Sequence, residues 1–161
     1  YGPCCNVTIT NCVLHSRDSA LKIGTETCGD IRNITFGDCL VKDCSRAVGI
    51  WVRDGGTVEN IHLRRLRLAG VRDNPIRLTY HYLNKPLGGP YQPHFRNIDI
   101  ANLSCGRSGA EAIQIRGYPD NRLGPVRLTD CAFAEAGRPG PVLQDVQGIE
   151  LTRVTINGRT V

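Results

Sequence analysis

Six short segments of this chain share one pattern at near-constant spacing, and that repeat limits the fold more than any other feature. Four are Asn6-Val-Thr-Ile9, Asn33-Ile-Thr-Phe36, Asn60-Ile-His-Leu63 and Asn97-Ile-Asp-Ile100, and weaker copies follow at Pro125-Val-Arg-Leu128 and Gly148-Ile-Glu-Leu151. Their starts lie 27, 27, 37, 28 and 23 residues apart, so the unit is near 27 residues with one insertion. In every copy the second and fourth residues are apolar. Period two means a strand with one buried face. A second short strand follows, with Cys12/Leu14, Cys39/Val41, Leu66/Leu68, Leu103/Cys105, Cys131/Phe133 and Val154/Ile156 as inward pairs. A third closes most copies through Leu21/Ile23, Ile50/Val52, Ile76/Leu78 and Ile113/Ile115, and Gly24, Gly49, Pro75 and Gly117 read as corners.

Three short strands per unit, repeated in step, predict an all-β parallel β-helix of about five to six turns. Turns about 4.8 Å apart would make a rod of order 25 Å. A leucine-rich repeat would need a helix or a fixed leucine pattern per unit, and a β-sandwich would show no register between copies. Asparagine opens four of the six copies, which predicts an asparagine ladder at one corner. The whole chain, 1–161, reads as one partial β-helix domain. It contains no methionine, so it is expected to be a piece of a longer solenoid whose N-terminal turns precede Tyr1.

Hydrophobic residues are 40% and charged residues 22% of 161, which excludes a disordered tail. No apolar run approaches the roughly 18 to 20 residues of a membrane-spanning helix, so no membrane partner is expected. The net charge of +5 favours anionic partners, but the cations are dispersed and form no block of the kind that binds nucleic acid. Of the eight cysteines, Cys12, Cys39, Cys105 and Cys131 fall at inward positions and read as stacked core thiols. A Cys12–Cys39 disulfide, or one among Cys4, Cys5, Cys28 and Cys44 near turns, stays open. The spacing of the cysteines and of His15, His62, His81 and His94 matches no metal site, and no phosphate loop or nucleophile elbow is present, so neither metal nor cofactor is expected. Three glycosylation sequons begin at Asn6, Asn33 and Asn102, but the first two are also corner residues of the repeat.

Residues between the inward pairs of the third strand must point outward. They predict two rows, Lys22, Trp51, Arg77, Gln114 and Gly24, Arg53, Thr79, Arg116, with Asp18, Glu26, Asp54, Tyr80 and His81 beside them. A basic strip with an aromatic suits an acidic polysaccharide, because arginine pairs with carboxylates and tryptophan stacks on a sugar ring. The segment Tyr82 to His94, rich in proline, glycine and tyrosine, is long for a repeat connection and reads as a wall of a cleft. A merely solvated outer face is the plain alternative.

The quoted repeats, together with Ala20-Leu-Lys-Ile-Gly-Thr-Glu-Thr27, Gly29-Asp-Ile-Arg-Asn-Ile-Thr-Phe36, Val48-Gly-Ile-Trp-Val-Arg-Asp-Gly-Gly56 and Val58-Glu-Asn-Ile61, resemble glycoside hydrolase family 28, the polygalacturonase-like pectin hydrolases. The likeness runs from about Asn6 to Ile115 and is strongest to a bacterial branch with an ALKIGTE…DGGT signature. It implies a right-handed β-helix, hydrolysis of galacturonan or rhamnogalacturonan with inversion, a secreted or periplasmic location, a monomer, and an acidic plant-type polysaccharide as partner. It also implies that the main acid and base lie on turns before Tyr1. The family's Gly-His-Gly motif falls on Arg17-Asp18-Ser19, so Asp18 stands where polygalacturonases carry histidine and is the one catalytic candidate here. The Arg-Ile-Lys motif falls on Trp51-Val52-Arg53, which keeps a cation at Arg53 and exchanges arginine for Trp51. Both departures point away from plain polygalacturonase activity toward a different pectin structure. Lys22, Trp51, Arg53, Arg77 and Tyr80 are the substrate-binding candidates. A pectate-lyase-like enzyme and a non-catalytic carbohydrate-binding β-helix are the alternatives; a lyase would expect clustered carboxylates around calcium.

Overall fold

The computed structural model describes residues 2–82 and 91–161. The first repeat contributes β1 (Cys4–Thr10), β2 (Val13–His15) and β3 (Ser19–Ile23), and the second contributes β4 (Ile31–Gly37), β5 (Leu40–Cys44) and β6 (Arg46–Trp51). In later repeats the first two strands run together. These are β7 (Thr57–Val71) with β8 (Ile76–Thr79), β9 (His94–Glu111) with β10 (Ile113–Arg116), and β11 (Val126–Arg138) with β12 (Val142–Gln144). The chain closes with β13 (Ile149–Ile156) and β14 (Arg159–Thr160).

These strands form two sheets. The larger has the order β1-β4-β7-β9-β11-β13-β14, with β2 and β5 completing its first two repeats, and the smaller has the order β12-β10-β8-β6-β3. Pairing between repeats is parallel throughout these strands, and the β13/β14 hairpin is antiparallel. The inward rows expected for the first strand hold residue for residue: Val7, Ile34, Ile61, Ile98, Val126 and Ile149 are successive partners. The second-strand rows hold too, as in Leu14, Val41, Leu68, Cys105, Phe133 and Ile156. Stacking identical faces keeps each apolar side chain against a similar one above and below. The buried core is therefore continuous from Leu21 to Ile156.

Two columns of left-handed residues bend the chain, the first within β1, β4, β7 and β9 and the second after β1 and β4 and within β7, β9, β11 and β13. Asn6, Asn33, Asn60 and Asn97 have φ of 60, 56, 54 and 50° and form the first corner. Asparagine tolerates this conformation, and here its amide does more. Asn33 Nδ2 donates to Asn6 Oδ1 at 2.9 Å, Asn60 Nδ2 to Asn33 Oδ1 at 3.0 Å, and Asn97 Nδ2 to Asn60 Oδ1 at 2.7 Å. The expected ladder is present, and it occupies the amides of two of the three sequons. The second column holds Asn11, Asp38, Arg65, Asn102, Asp130 and Arg153. Arginine has no such tolerance, yet Arg65 grips Asp38 and Arg153 grips Asp130 in two-pronged pairs from one repeat to the next. Asn33→Ala should cost about 2 kcal/mol, from two lost amide bonds and an alanine at positive φ. Asn33→Gly should recover the backbone part, and urea unfolding of both variants checks this.

All eight cysteines are free. Cys39, Cys105 and Cys131 are buried, as their inward positions require. Burial pushes the Cys105 and Cys131 thiols up to about 11, so both stay protonated packing groups at neutral pH. Cys44, read as a turn residue, is instead fully buried at the end of β5 and partners Val71.

The third strand corrects the expected register. Leu21 and Ile23 lie on Val48 and Ile50, which lie on Ile76 and Leu78. The inward pair of β6 is thus Val48/Ile50, with Val52 buried beyond the strand end. Gly49 is no corner. It stands in the outward row Lys22, Gly49, Arg77, Gln114, while Trp51 pairs with Thr79, and Thr79 with Arg116, in the next row.

Candidate functional site

The register shift explains the site. A β-carbon on Gly49 would overlap the far edge of the Trp51 indole. The ring therefore lies back along β6 into the notch that the glycine leaves. Three cations close over it: Lys22 Nζ at 5.4 Å, the Arg46 guanidinium at 5.4 Å and that of Arg77 at 5.9 Å from the ring. Trp51 is 5% exposed. It is a buried floor for cations, which corrects its expected role as a stacking face for sugar.

Asp18 meets this cluster from the loop before β3. Its carboxylate pairs with Lys22 at 3.3 Å and closely with Arg46, while Arg17 is not its partner. Partial burial works against its ionisation. The Lys22 hydrogen bond and the Arg46 charge outweigh that and hold the carboxyl below its usual value. Asp18 is thus a carboxylate at neutral pH. A general acid needs the opposite shift, so its chemistry here is orientation or proton acceptance.

Asp18, Lys22, Arg46, Trp51 and Arg77 line an open depression of about 210 Å³, with His81 and Tyr82 on its far side. His81 Nε2 lies 2.6 Å from the Gly117 carbonyl, which can only accept, so that nitrogen carries the ring hydrogen. Tyr82 also borders an adjoining space of about 300 Å³ with Gly24, Thr25, Glu26 and Arg53. Arg53 and Glu26 in turn border a larger hollow, about 470 Å³, at the edge of the first repeat. Sharing Tyr82 and then Arg53 and Glu26 in their linings, the three spaces make a groove that runs from the five-stranded face to the first-repeat end of the larger sheet at Cys4 and Ile31.

The groove is electrostatically polar along its length. At the Trp51 end three cations face one carboxylate, Asp18. At the first-repeat end one arginine, Arg53, faces Glu26, Asp30 and Asp54. Arg32 pairs with Asp30 and Arg53 with Asp54, so the smaller depression is the end that favours an anion. Arg53 is held by Asp54 through bonds of 2.6 and 3.0 Å, lies 3.7 Å from Glu26, and stacks its guanidinium 5.8 Å from the Tyr82 ring. The Asp54 hydrogen bonds raise its pKa further against a smaller opposing effect of burial.

Tyr80 belongs elsewhere. It is 1% exposed, its ring packs 5.4 Å from Phe95 and 5.7 Å from Tyr118, and its hydroxyl accepts a hydrogen bond from Phe95 N. It is a core residue, which corrects its reading as a binding residue. Asp18, Lys22, Trp51 and Arg77 do come together, and Arg53 borders them.

Arg46 was missed as a lining residue, whereas His81, placed beside the strip, and Tyr82, the start of the segment read as a wall, both line the depression. Arg46 opens β6 as the register partner of Ser19, and starting that strand at Ile50 hid it. Most of the segment read as a cleft wall, 83–90, lies outside the described residues. Among the described residues no three His, Cys, Asp or Glu side chains come together as a metal ion would need. No protein-family model matches the chain, and no curated protein matches it in sequence.

Proposed function

We propose that the stacked sheets are part of a right-handed parallel β-helix, and that the groove on its five-stranded face holds a pectin-type polysaccharide for inverting hydrolysis. The observation that carries this reading is the excess of cations at the Trp51 end. Lys22, Arg46 and Arg77 line one concave surface with a single carboxylate, Asp18, which pairs with Lys22 and Arg46. Such a surface suits a chain that bears one carboxylate per sugar. The resemblance to family 28 adds support, because the two positions that match its motifs, Asp18 and Arg53, both border this groove.

The residues here divide the labour by charge. Lys22 and Arg46 hold Asp18 ionised and leave donors for the polymer. Arg53, stacked on Tyr82, marks the passage toward the acidic end, where a neutral or esterified sugar is better received than a uronate. Inverting hydrolysis needs two carboxyls far enough apart to admit a water. Asp18 alone does not supply them, so on this reading the chain binds and orients substrate, and the acid–base pair comes from turns that the resemblance puts before Asn6.

The test is incubation of the whole protein with de-esterified homogalacturonan and with rhamnogalacturonan. New reducing ends without unsaturated product support hydrolysis. Unsaturated product that disappears with a chelator would replace this reading with a lyase, and retention on the polymer without turnover would replace it with a binding module. Absence of both binding and turnover overturns the reading. Arg46→Ala should weaken binding by about tenfold, as loss of a charge-assisted contact does, and added salt should narrow the difference. Affinity electrophoresis on the acidic polymer measures both.

A further inference from the structure

We propose that Arg77 and Gln114 form a subsite for a single uronate carboxylate, and that Gln114 sets its preference for the free acid over the ester. This rests on the reading of the groove as a site for an acidic polysaccharide and names the residues that select the acid.

Arg77 on β8 and Gln114 on β10 are register partners on the outward side of the five-stranded sheet. They continue the row that starts at Lys22 and passes the notch at Gly49. Each has one side-chain atom sealed from solvent without a hydrogen-bond partner: Arg77 Nε, a donor, and Gln114 Oε1, an acceptor. Buried polar atoms rarely stay unpaired, and these two are complementary neighbours. A small closure that lets Arg77 Nε–H donate to Gln114 Oε1 would satisfy both. It would also set the Gln114 amide nitrogen beside the terminal nitrogens of the guanidinium. That is a row of donors with no acceptor, which fits a carboxylate.

The neighbouring charges leave this place open to an anion. Asp18 is taken by Lys22 and Arg46, and Asp73 lies 3.9 Å from Arg46. Among the described residues no carboxylate oxygen pairs with Arg77. Burial, followed by repulsion from Arg46 and Arg116, lowers the Arg77 pKa against weaker help from Asp73 and Glu111. A bound carboxylate relieves that repulsion, and a methyl ester does not.

The experiment is titration calorimetry of the whole protein with galacturonate oligomers, de-esterified and fully methyl-esterified. The wild type should favour the acid form by about tenfold or more. Gln114→Glu keeps the size of the side chain but supplies an internal carboxylate to Arg77. It should abolish that preference, read as the ratio of the acid and ester affinities of the same variant. Arg77→Gln should abolish the preference as well. If the wild type prefers the acid and Gln114→Glu keeps that preference within about twofold, the subsite is overturned while the groove reading stands. If the wild type binds neither oligomer, the groove reading falls and the subsite falls with it.

Discussion

Gly49→Ala should expel the Trp51 indole from its notch. The added β-carbon would overlap the ring edge and lie 2.8 Å from Ser19 Oγ, and the sheet backbone on either side is fixed by pairing with β3 and β8. The ring is the far end of a side chain, but Lys22, Arg46 and Arg77 cover it and leave it no free direction. Overpacking of this kind costs about 2 kcal/mol. The functional loss should be larger than the loss of stability, because the indole is the shared contact of the three cations. Trp51 is the only tryptophan, so its fluorescence reports the event directly. A red-shifted emission, a lower unfolding midpoint and loss of polymer binding are the expected results. Unchanged emission would mean that the ring does not lie over Gly49.

Tyr80→Ala should be the most destabilising change considered, at about 4 kcal/mol, because it removes a fully buried aromatic between Phe95 and Tyr118. Tyr80→Phe keeps the ring and leaves Phe95 N–H without its acceptor, at a cost of about 1 kcal/mol. Polymer binding should survive in the phenylalanine variant, which separates a core role from a binding role.

The same pair reports on pH. Burial pushes the Tyr80 phenol up to about 12, against a weaker opposing bond from Phe95 N. The unfolded phenol releases its proton near 10, so between about pH 10 and 12 the unfolded chain binds fewer protons than the folded one. Stability contributed by the neutral phenol is whole below pH 10 and falls as pH rises through that window. Tyr80→Phe should flatten this part of the slope. Tyr118, raised in the same direction by burial and then by Asp120, should retain some of it. Denaturant midpoints across the alkaline range measure the effect.

Much of this arrangement was legible before any coordinates. The inward rows of the first and second strands follow from period two repeated in step. The asparagine ladder follows from one residue type recurring at one position of the unit. Asp18, Lys22 and Arg77 were correctly placed near one another, because residues one or two repeats apart at equivalent positions must stack. Arg46 was not singled out, and Tyr80 was misread, for different reasons. Arg46 lines the site only because β6 begins earlier than its strongest apolar pair suggested. Tyr80 is buried by partners 15 and 38 residues away in the chain, Phe95 and Tyr118.

What the sequence determined by itself is the repeat, the two-faced strands and the corner asparagines. Each is a property of one unit and its copy, and an apolar residue at every second position has one way to hide from water. What only the tertiary structure decided is the site. Alternation says which face a side chain takes, but not how far one strand is offset from its neighbour when two repeats differ in sequence. That offset is a contest between whole side chains. At β6 the gap left by Gly49 admits the Trp51 ring, and the ring then gathers cations from three different repeats.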